Sequence, residues 1–172
     1  PLIWAGEGAL SSGCGPALMR LAEHLQAPIV CAGEAKGAVS DRHYLAMGVP
    51  NWRRDPLDDL LDRADVVLAV GASLARSQIR PGQTVVLVDV DASQSDDRVA
   101  VQLIGDVLPG VEALYRVLAE GTPPRPSRRA ELDAVKTARY DPNAQLEPQG
   151  SFVRAIRSAM PDDGIFIEGV TQ

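Results

Sequence analysis

The stretch PLIWAGEGALSSG, residues 1–13, opens with an uncharged apolar run and then turns at Gly6, Glu7 and Gly8. An apolar run that stops at glycine is typical of a buried strand, and G-x-G directly after a strand begins many dinucleotide-binding domains. In the full fingerprint a third glycine follows, but that position holds Ser11. Two explanations stay open: the glycines permit a tight turn with positive φ, or they let a dinucleotide approach the backbone.

Short apolar runs alternate with amphipathic segments over the first 121 residues. Further strands are predicted by APIVCAG (27–33), DVVLAVG (65–71), QTVVLVDVD (83–91) and VAVQLIGD (99–106). Helices are predicted by SGCGPALMRLAEHLQA (12–27), with its serines as caps, DPLDDLLDRA (55–64) and LPGVEALYRVLAEG (108–121). A short helical turn is predicted near Tyr44–Met47. This alternation predicts an α/β fold: a Rossmann-like, doubly wound, mainly parallel sheet of about six strands with helices on both faces.

The character of the chain changes after residue 121, which predicts three parts. Residues 1–121 form the Rossmann-like domain, and residues 122–150, which begin with the proline-rich TPPRPSRR, form a linker in which AELDAVKTARYD (130–141) has a thin helical stripe. Residues 151–172 add the helix SFVRAIRSAMP and the strand GIFIEGVTQ. We expect these last elements to open a further domain, and the chain to be a piece of a longer protein.

Composition excludes several classes of function. A net charge of -6 argues against a nucleic-acid partner, because binding to the phosphate backbone needs clustered lysine and arginine. The sequence contains neither an apolar run long enough to span a bilayer nor a signal peptide, so we expect no membrane partner. Cys14 and Cys31 are interpreted as free thiols in a reducing compartment, which predicts a cytoplasmic protein. His24 and His43 lack companion ligands, so no metal site and no catalytic residue are predicted.

Small and acidic residues recur where the predicted strands end. Gly6 and Gly8 follow the first predicted strand. Gly71 and Ser73 lie at the end of the strand predicted over 65–71, Asp91 at the end of the one over 83–91, and Asp106 at the end of the one over 99–106. The carboxyl ends of parallel strands converge on one crevice, so these six residues form a candidate nucleotide site. The alternative is that the aspartates only cap the turns that follow them. Glu34 is the one candidate for a ribose contact, but it lies further along the chain than the acidic residue of the dinucleotide-binding fingerprint usually does. A nicotinamide dehydrogenase is therefore poorly supported.

The order of these segments resembles the central domain of thiamine-diphosphate-dependent enzymes of the acetolactate synthase and benzoylformate decarboxylase type. The resemblance covers about residues 1–120 and rests on PLIWAGEGA (1–9), LAEHLQAPIVCAGEAKGAVSDRHYLAMG (21–48), LLDRADVVLAVGASL (60–74), VVLVDVDAS (85–93) and LIGDV (103–107). The tail AIRSAMPDDGIFIEGVTQ (155–172) is similar to the entry into that family's third domain. There the first turn lies close to the cofactor, which implies that Gly169, Thr171 and Gln172 border thiamine diphosphate.

The resemblance implies a parent enzyme that uses thiamine diphosphate and Mg²⁺ to decarboxylate or ligate 2-oxo acids, as a lyase or transferase. The family's activating glutamate and its magnesium motif belong to domains beyond this chain, so the fragment alone is not expected to catalyse the reaction. Its expected partners are the remaining domains of the parent. The parent is expected to be a homodimer or homotetramer, because the family builds its cofactor site between subunits.

Central domains of this family hold FAD, ADP or nothing. Members that hold FAD usually carry an arginine-bearing loop after the glycine turn of the fourth strand, whereas the loop here is short and offers only Arg76 and Arg80. Asp91 and Asp106 match positions that face the adenosine in members that hold a ligand. The leading hypothesis is a structural central domain without a nucleotide. The alternative is a module that binds ADP or FAD in the same fold.

Overall fold

The computed structural model describes residues 1–51, 54–74, 77–139 and 147–167. The chain divides into two compact units, Pro1–Arg139 and Tyr140–Gln172. The first unit contains, in chain order, the elements β1 Leu2–Ala5, α1 Glu7–Ser11, α2 Gly15–Leu25, β2 Ile29–Cys31, β3 Ala46–Gly48, α3 Pro56–Arg63, β4 Val66–Val70, β5 Thr84–Asp89, β6 Val99–Ile104, α4 Val107–Gly121 and α5 Arg129–Arg139. The described part of the second unit contains α6, Gln149–Ala159.

The six strands form one sheet in the order β3-β2-β1-β4-β5-β6. Every neighbouring pair is parallel, and Ala5 pairs with Val70, which in turn pairs with Val88. This order places β1 and β4 side by side at the centre, where the chain changes its direction of winding. The predicted Rossmann-like parallel fold is therefore confirmed.

Burial explains why the central strands are continuous apolar runs. All four residues of β1 and all three of β2 are buried, and so are the last four of β4. Because helices cover both faces of a parallel sheet, side chains on both sides of each strand are buried, and the strand shows no alternation of polar and apolar residues. On one face α2 packs against α4, while α3 packs against α5. A right-handed crossover from β3 through α3 to β4 places this second pair on the opposite face.

The start of α3 agrees with its sequence signals. Asp55 is the N-cap residue, and its side chain accepts a hydrogen bond from the backbone N–H of Leu57 at 2.7 Å. The Asp58 side chain reciprocates by accepting from the backbone N–H of Asp55 at 2.8 Å, which completes a capping box. Pro56 occupies the first turn, where its missing N–H costs nothing.

Three predicted elements differ from the structure. Residues 46–48 form the edge strand β3 and not part of a helical turn, because Ala46 and Gly48 pair with β2. The helix predicted over 12–27 is confirmed as α2, Gly15–Leu25, but its N-cap is Cys14 and the serines do not cap it; the short helix α1, Glu7–Ser11, precedes it and was not predicted. Residues 164–167 form no strand, and the rest of that predicted strand lies outside the described residues.

The first unit continues past residue 121, where the sequence predicts a linker over 122–150. Within that stretch α5 forms over nearly the residues expected, and its Leu132 is fully buried in the core cluster. Val135, one turn later, packs against the same cluster. The compact unit accordingly ends at Arg139.

Replacing Leu132 measures how strongly α5 belongs to the domain. Leu132→Ala should lower the free energy of unfolding by about 2–5 kcal/mol, because it removes buried methylene groups and leaves a cavity. The matched control Leu10→Ala, at a helical leucine that is 43% exposed, should cost less than about 0.5 kcal/mol. Chemical denaturation of both variants checks this. Equal stability of the two variants would contradict the placement of α5 in the core.

Candidate functional site

The centre of the site is a backbone crossing at the carboxyl ends of β1 and β4. The N–H of Gly6 donates to the carbonyl of Val70, and the N–H of Gly8 donates to the carbonyl of Gly71, both at 2.9 Å. Gly71 has a φ of +54°, in the left-handed region that favours glycine. The turn after β1 is thus hydrogen-bonded to the turn after β4.

This crossing leaves no room for side chains. A Cβ on Gly6 would lie 2.2 Å from the carbonyl oxygen of Gly71 and 2.4 Å from the Cα of Ala72. A Cβ on Gly8 would lie 2.7 Å from the Cα of Gly71, and one on Gly71 would lie 2.5 Å from the backbone of Gly8. These contacts are with backbone atoms, which cannot rotate away. The close approach of two chain segments alone is sufficient to explain the G-x-G pattern.

Two adjoining clefts lie along the same edge of the sheet, with volumes of about 340 Å³ and about 480 Å³. The first lies over β1, β4 and β5, and the second over β1, β5 and the start of α4. They share Gly8, Ser11, Asp89 and Val90. The candidate residues from the sequence are brought together here: the first cleft is lined by Gly6, Gly8, Gly71, Ser73 and Asp91, and the second by Gly8 and Asp106.

The clefts are acidic. Glu7, Glu34, Asp89 and Asp91 line the first cleft, and Asp106 lines the second. Among the described residues, no lysine, arginine or histidine lines either one. Glu34, the one candidate from the sequence for a ribose contact, thus lines the first cleft. Asp89 lines both clefts and is not one of the six candidate nucleotide-site residues, although it lies near the end of a predicted strand.

Of the two arginines that the sequence offers for a phosphate, Arg80 does not line either cleft. Arg80 contacts α3, where its guanidinium pairs with Asp58 at 2.6 Å and with Asp62 at 2.7 Å. Arg76 lies outside the described residues. The described part of the site therefore offers a diphosphate no cationic side chain, although a dinucleotide carries negative charge at its centre.

Asp91 and Asp89 are engaged in local hydrogen bonds. Asp91 accepts from the backbone N–H of Ser93 at 2.8 Å, from its hydroxyl at 2.7 Å and from the amide of Gln94 at 3.1 Å. These hydrogen bonds, from Ser93 first, lower the pKa of Asp91 below its usual range. Asp89 is buried and accepts from the N–H of Asp91 at 2.9 Å. Asp91 thus caps the turn that follows it.

Asp106 differs from Asp91. It occupies the N-cap position of α4, yet its side chain makes no capping hydrogen bond there. The side chain is exposed at the rim of the second cleft, beside Val107, Leu108 and Pro109. Asp106 is accordingly a boundary residue of α4 whose carboxylate faces solvent at the cleft.

The thiols and imidazoles do not add reactive groups. Both cysteines are free and buried, and burial raises the pKa of each thiol, that of Cys31 to about 11. His24 Nε2 lies 3.2 Å from the hydroxyl of Thr122, and His43 Nε2 lies 3.1 Å from Glu23.

No group of three or more potential metal ligands occurs among the described residues. In the same part of the chain no helix is long and apolar enough to cross a membrane.

Alanine substitutions at the crossing test whether these glycines are required by packing. Gly6→Ala should destabilise the domain by about 1–3 kcal/mol or more, because the new Cβ overlaps backbone atoms. The control is Gly33→Ala, where a Cβ meets nothing within 4 Å, and this change should be neutral or slightly stabilising. Thermal unfolding of both variants provides the measurement. A Gly6→Ala variant as stable as Gly33→Ala would show that the crossing tolerates a side chain.

The chain is similar to curated proteins named sulfoacetaldehyde acetyltransferase and acetolactate synthase. It is 28% identical over 181 aligned positions to sulfoacetaldehyde acetyltransferase of Roseovarius nubinhibens, covering 94% of this chain and 30% of that protein. It is 25% identical to acetolactate synthase isozyme 3 large subunit of Escherichia coli (73% of this chain, 24% of that protein). It is 29% identical to a probable acetolactate synthase large subunit of Methanococcus aeolicus (62% and 19%). The chain spans less than a third of the length of these relatives.

The described residues offer no set of ligands for the thiamine diphosphate and Mg²⁺ that the sequence resemblance implies. They offer no metal-ligand cluster, and the clefts are acidic where a diphosphate needs donors or cations. Gly169, Thr171 and Gln172 lie outside the described residues.

The family model for the thiamine pyrophosphate enzyme central domain matches residues 1–114, which are β1 through the middle of α4. The chain therefore belongs to the thiamine pyrophosphate enzyme family and contains its central domain.

Proposed function

We propose that the chain is the structural central domain of a longer thiamine-diphosphate-dependent enzyme that decarboxylates or ligates 2-oxo acids. The observation that carries this proposal is the family match over residues 1–114. Its support is the pair of activities in the relatives' names, acetolactate synthesis and acetyl transfer. On this proposal the parent is a lyase or transferase of the cytoplasm, assembled as a homodimer or homotetramer.

The chemistry is assigned to other domains of the parent. When bound, thiamine diphosphate supplies a thiazolium that stabilises a carbanion, and Mg²⁺ holds its diphosphate. Within this chain we propose that residues 151–172 open the next domain and that Gly169, Thr171 and Gln172 border the cofactor. Residues 1–139 contribute the scaffold. The chain by itself is then inactive towards 2-oxo acids.

We propose that the clefts at the sheet edge hold no nucleotide. The acidic lining supports this, since the phosphates of ADP or FAD would face Glu7, Glu34 and Asp89 without a described cation to offset the repulsion. The carboxylate of Asp91 is already engaged by Ser93 and Gln94. The glycines then serve the backbone crossing, and the fold is kept without its ligand.

Cofactor removal from the full-length parent tests the proposed reaction. Exhaustive dialysis against chelator should abolish turnover of 2-oxo acids such as pyruvate, because the carbanion loses its electron sink. Adding back thiamine diphosphate together with Mg²⁺ should restore it, and adding either alone should not. Full activity after complete removal of both would overturn the proposed function.

Ligand-dependent melting tests the proposal of an empty cleft. The melting temperature of the chain should stay unchanged in 1 mM ADP, FAD or NAD, whereas a ligand at about 100 times its Kd would add about 2.7 kcal/mol of stability. A rise with one nucleotide would contradict the proposal and favour the binding-module alternative. Asp106→Asn then serves as the second variant, since loss of the rise would place the adenosine at the second cleft.

A further inference from the structure

The segment that follows α4 runs back across the first unit and contacts the long excursion between β2 and α3. We define residues 122–139 as the clamp and residues 32–51 as the excursion, which contains the edge strand β3. We propose that the clamp is a conformational device: the excursion takes up its native position only when the clamp is docked. The inference rests on contacts within residues 1–139 and is independent of the proposed reaction.

Arg139 is the principal anchor of the clamp. Its side chain is only 3% exposed, and its Nε donates to the Oδ2 of Asp55 at 3.0 Å. Its two terminal nitrogens donate to the carbonyls of Met47 and Val49, the second at 2.8 Å. Those carbonyls flank Gly48, whose φ is +75°. One buried guanidinium thus joins the end of β3 to the N-cap of α3, and each of its bonds compensates for desolvation of the charge.

Lys136 supplies a second anchor one turn earlier. Its ammonium donates to the backbone carbonyls of Asp41 and His43, each at 2.9 Å. Desolvation lowers the pKa of Lys136, as expected for a cation drawn into the domain surface. Both bonds end on the loop that leads into β3. α5 thus places a cation against two backbone carbonyls of this loop.

Gln26 joins three parts of the unit at the other end of the clamp. It ends α2 with a φ of +47°, which is unusual for a residue with a side chain. Its side-chain oxygen accepts from the hydroxyl of Tyr44 at 2.9 Å and from the backbone N–H of Arg128 at 3.1 Å. The guanidinium of Arg129 lies over the Tyr44 ring at 4.1 Å. Helix, excursion and clamp thus meet at one buried amide.

The excursion has little regular structure of its own. Apart from a single 3-10 turn at Gly33–Ala35, the three residues of β3 are its only regular element in the described part, and β3 pairs with β2 alone. Its buried side chains include Leu45 and Met47, which belong to the apolar core cluster that also contains Leu132 of α5. A short edge strand with one neighbour is marginal without further packing. The clamp adds hydrogen bonds to the backbone carbonyls of β3 and of the residues beside it.

The excursion also forms one wall of the acidic cleft. Ala32 and Glu34 line that cleft opposite the turns after β4 and β5. Because Lys136 and Arg139 hold the other end of the same excursion, the clamp stabilises this wall as well. Loosening the clamp should therefore change the cleft without any change in the crossing at Gly6 and Gly71.

Hydrogen exchange on the whole chain, measured by mass spectrometry, tests the clamp. Arg139→Met keeps most of the apolar length but loses the charge and the donors, so amides in residues 32–49 should exchange about tenfold faster. Amides of β4 and β5 should change by less than about twofold, because local opening leaves the central strands closed. The matched control is Arg116→Met, at an exposed arginine of α4, which should leave the pattern of the unsubstituted chain.

Two results would overturn the proposal. One is native protection of residues 32–49 in Arg139→Met, and the other is a uniform increase over all strands, which indicates global destabilisation. Where Arg139→Met yields too little folded protein, Lys136→Met provides the same comparison, because it removes only the bonds to Asp41 and His43. Arg139→Lys should fail to restore protection, since one ammonium cannot reach three acceptors in the guanidinium geometry.

Discussion

The crossing of the backbone at Gly6, Gly8 and Gly71 is the constraint on which the rest of the molecule depends. Two turns meet there at hydrogen-bonding distance, with no space for a Cβ on either side. Their contact keeps β1 beside β4 at the centre of the sheet, and this pair sets the point where the winding reverses. The strand order, the clefts at the carboxyl edge and the distribution of helices over both faces follow from it.

A fold that often holds a nucleotide is combined here with an acidic edge. The glycines that allow a dinucleotide to approach are the same glycines that two crossing segments need, so their presence cannot distinguish the two uses. The side chains around the glycines carry the information that bears on these two uses. Carboxylates line the clefts, and Arg80 is paired with Asp58 and Asp62 on α3. A fold and the binding site built on it are separable properties.

The two edges of the sheet, β3 and β6, differ in what covers them. At β3 the clamp brings the buried guanidinium of Arg139 to the edge, where it binds the backbone carbonyls of Met47 and Val49. At β6 the residues remain open, and Val101, Leu103 and Ile104 are each more than a third exposed. An uncharged open edge is unusual in a protein that acts alone. This contrast agrees with a domain that belongs to a larger protein.

The sequence by itself determined the class of fold and the approximate place of most strands and helices, because periodicity and capping are local properties. It also indicated that residues at the ends of different strands lie together in one cleft, because the carboxyl ends of parallel strands lie at one edge of the sheet. Only the tertiary structure decided that residues 46–48 form a strand, that Arg80 pairs with α3 and that residues 122–139 belong to the first compact unit. Each of these depends on partners far along the chain, such as Arg139 and Met47, which are 92 residues apart. Local pattern carries no information about such pairs, and the buried charge of Arg139 becomes favourable only when the folded chain supplies its acceptors.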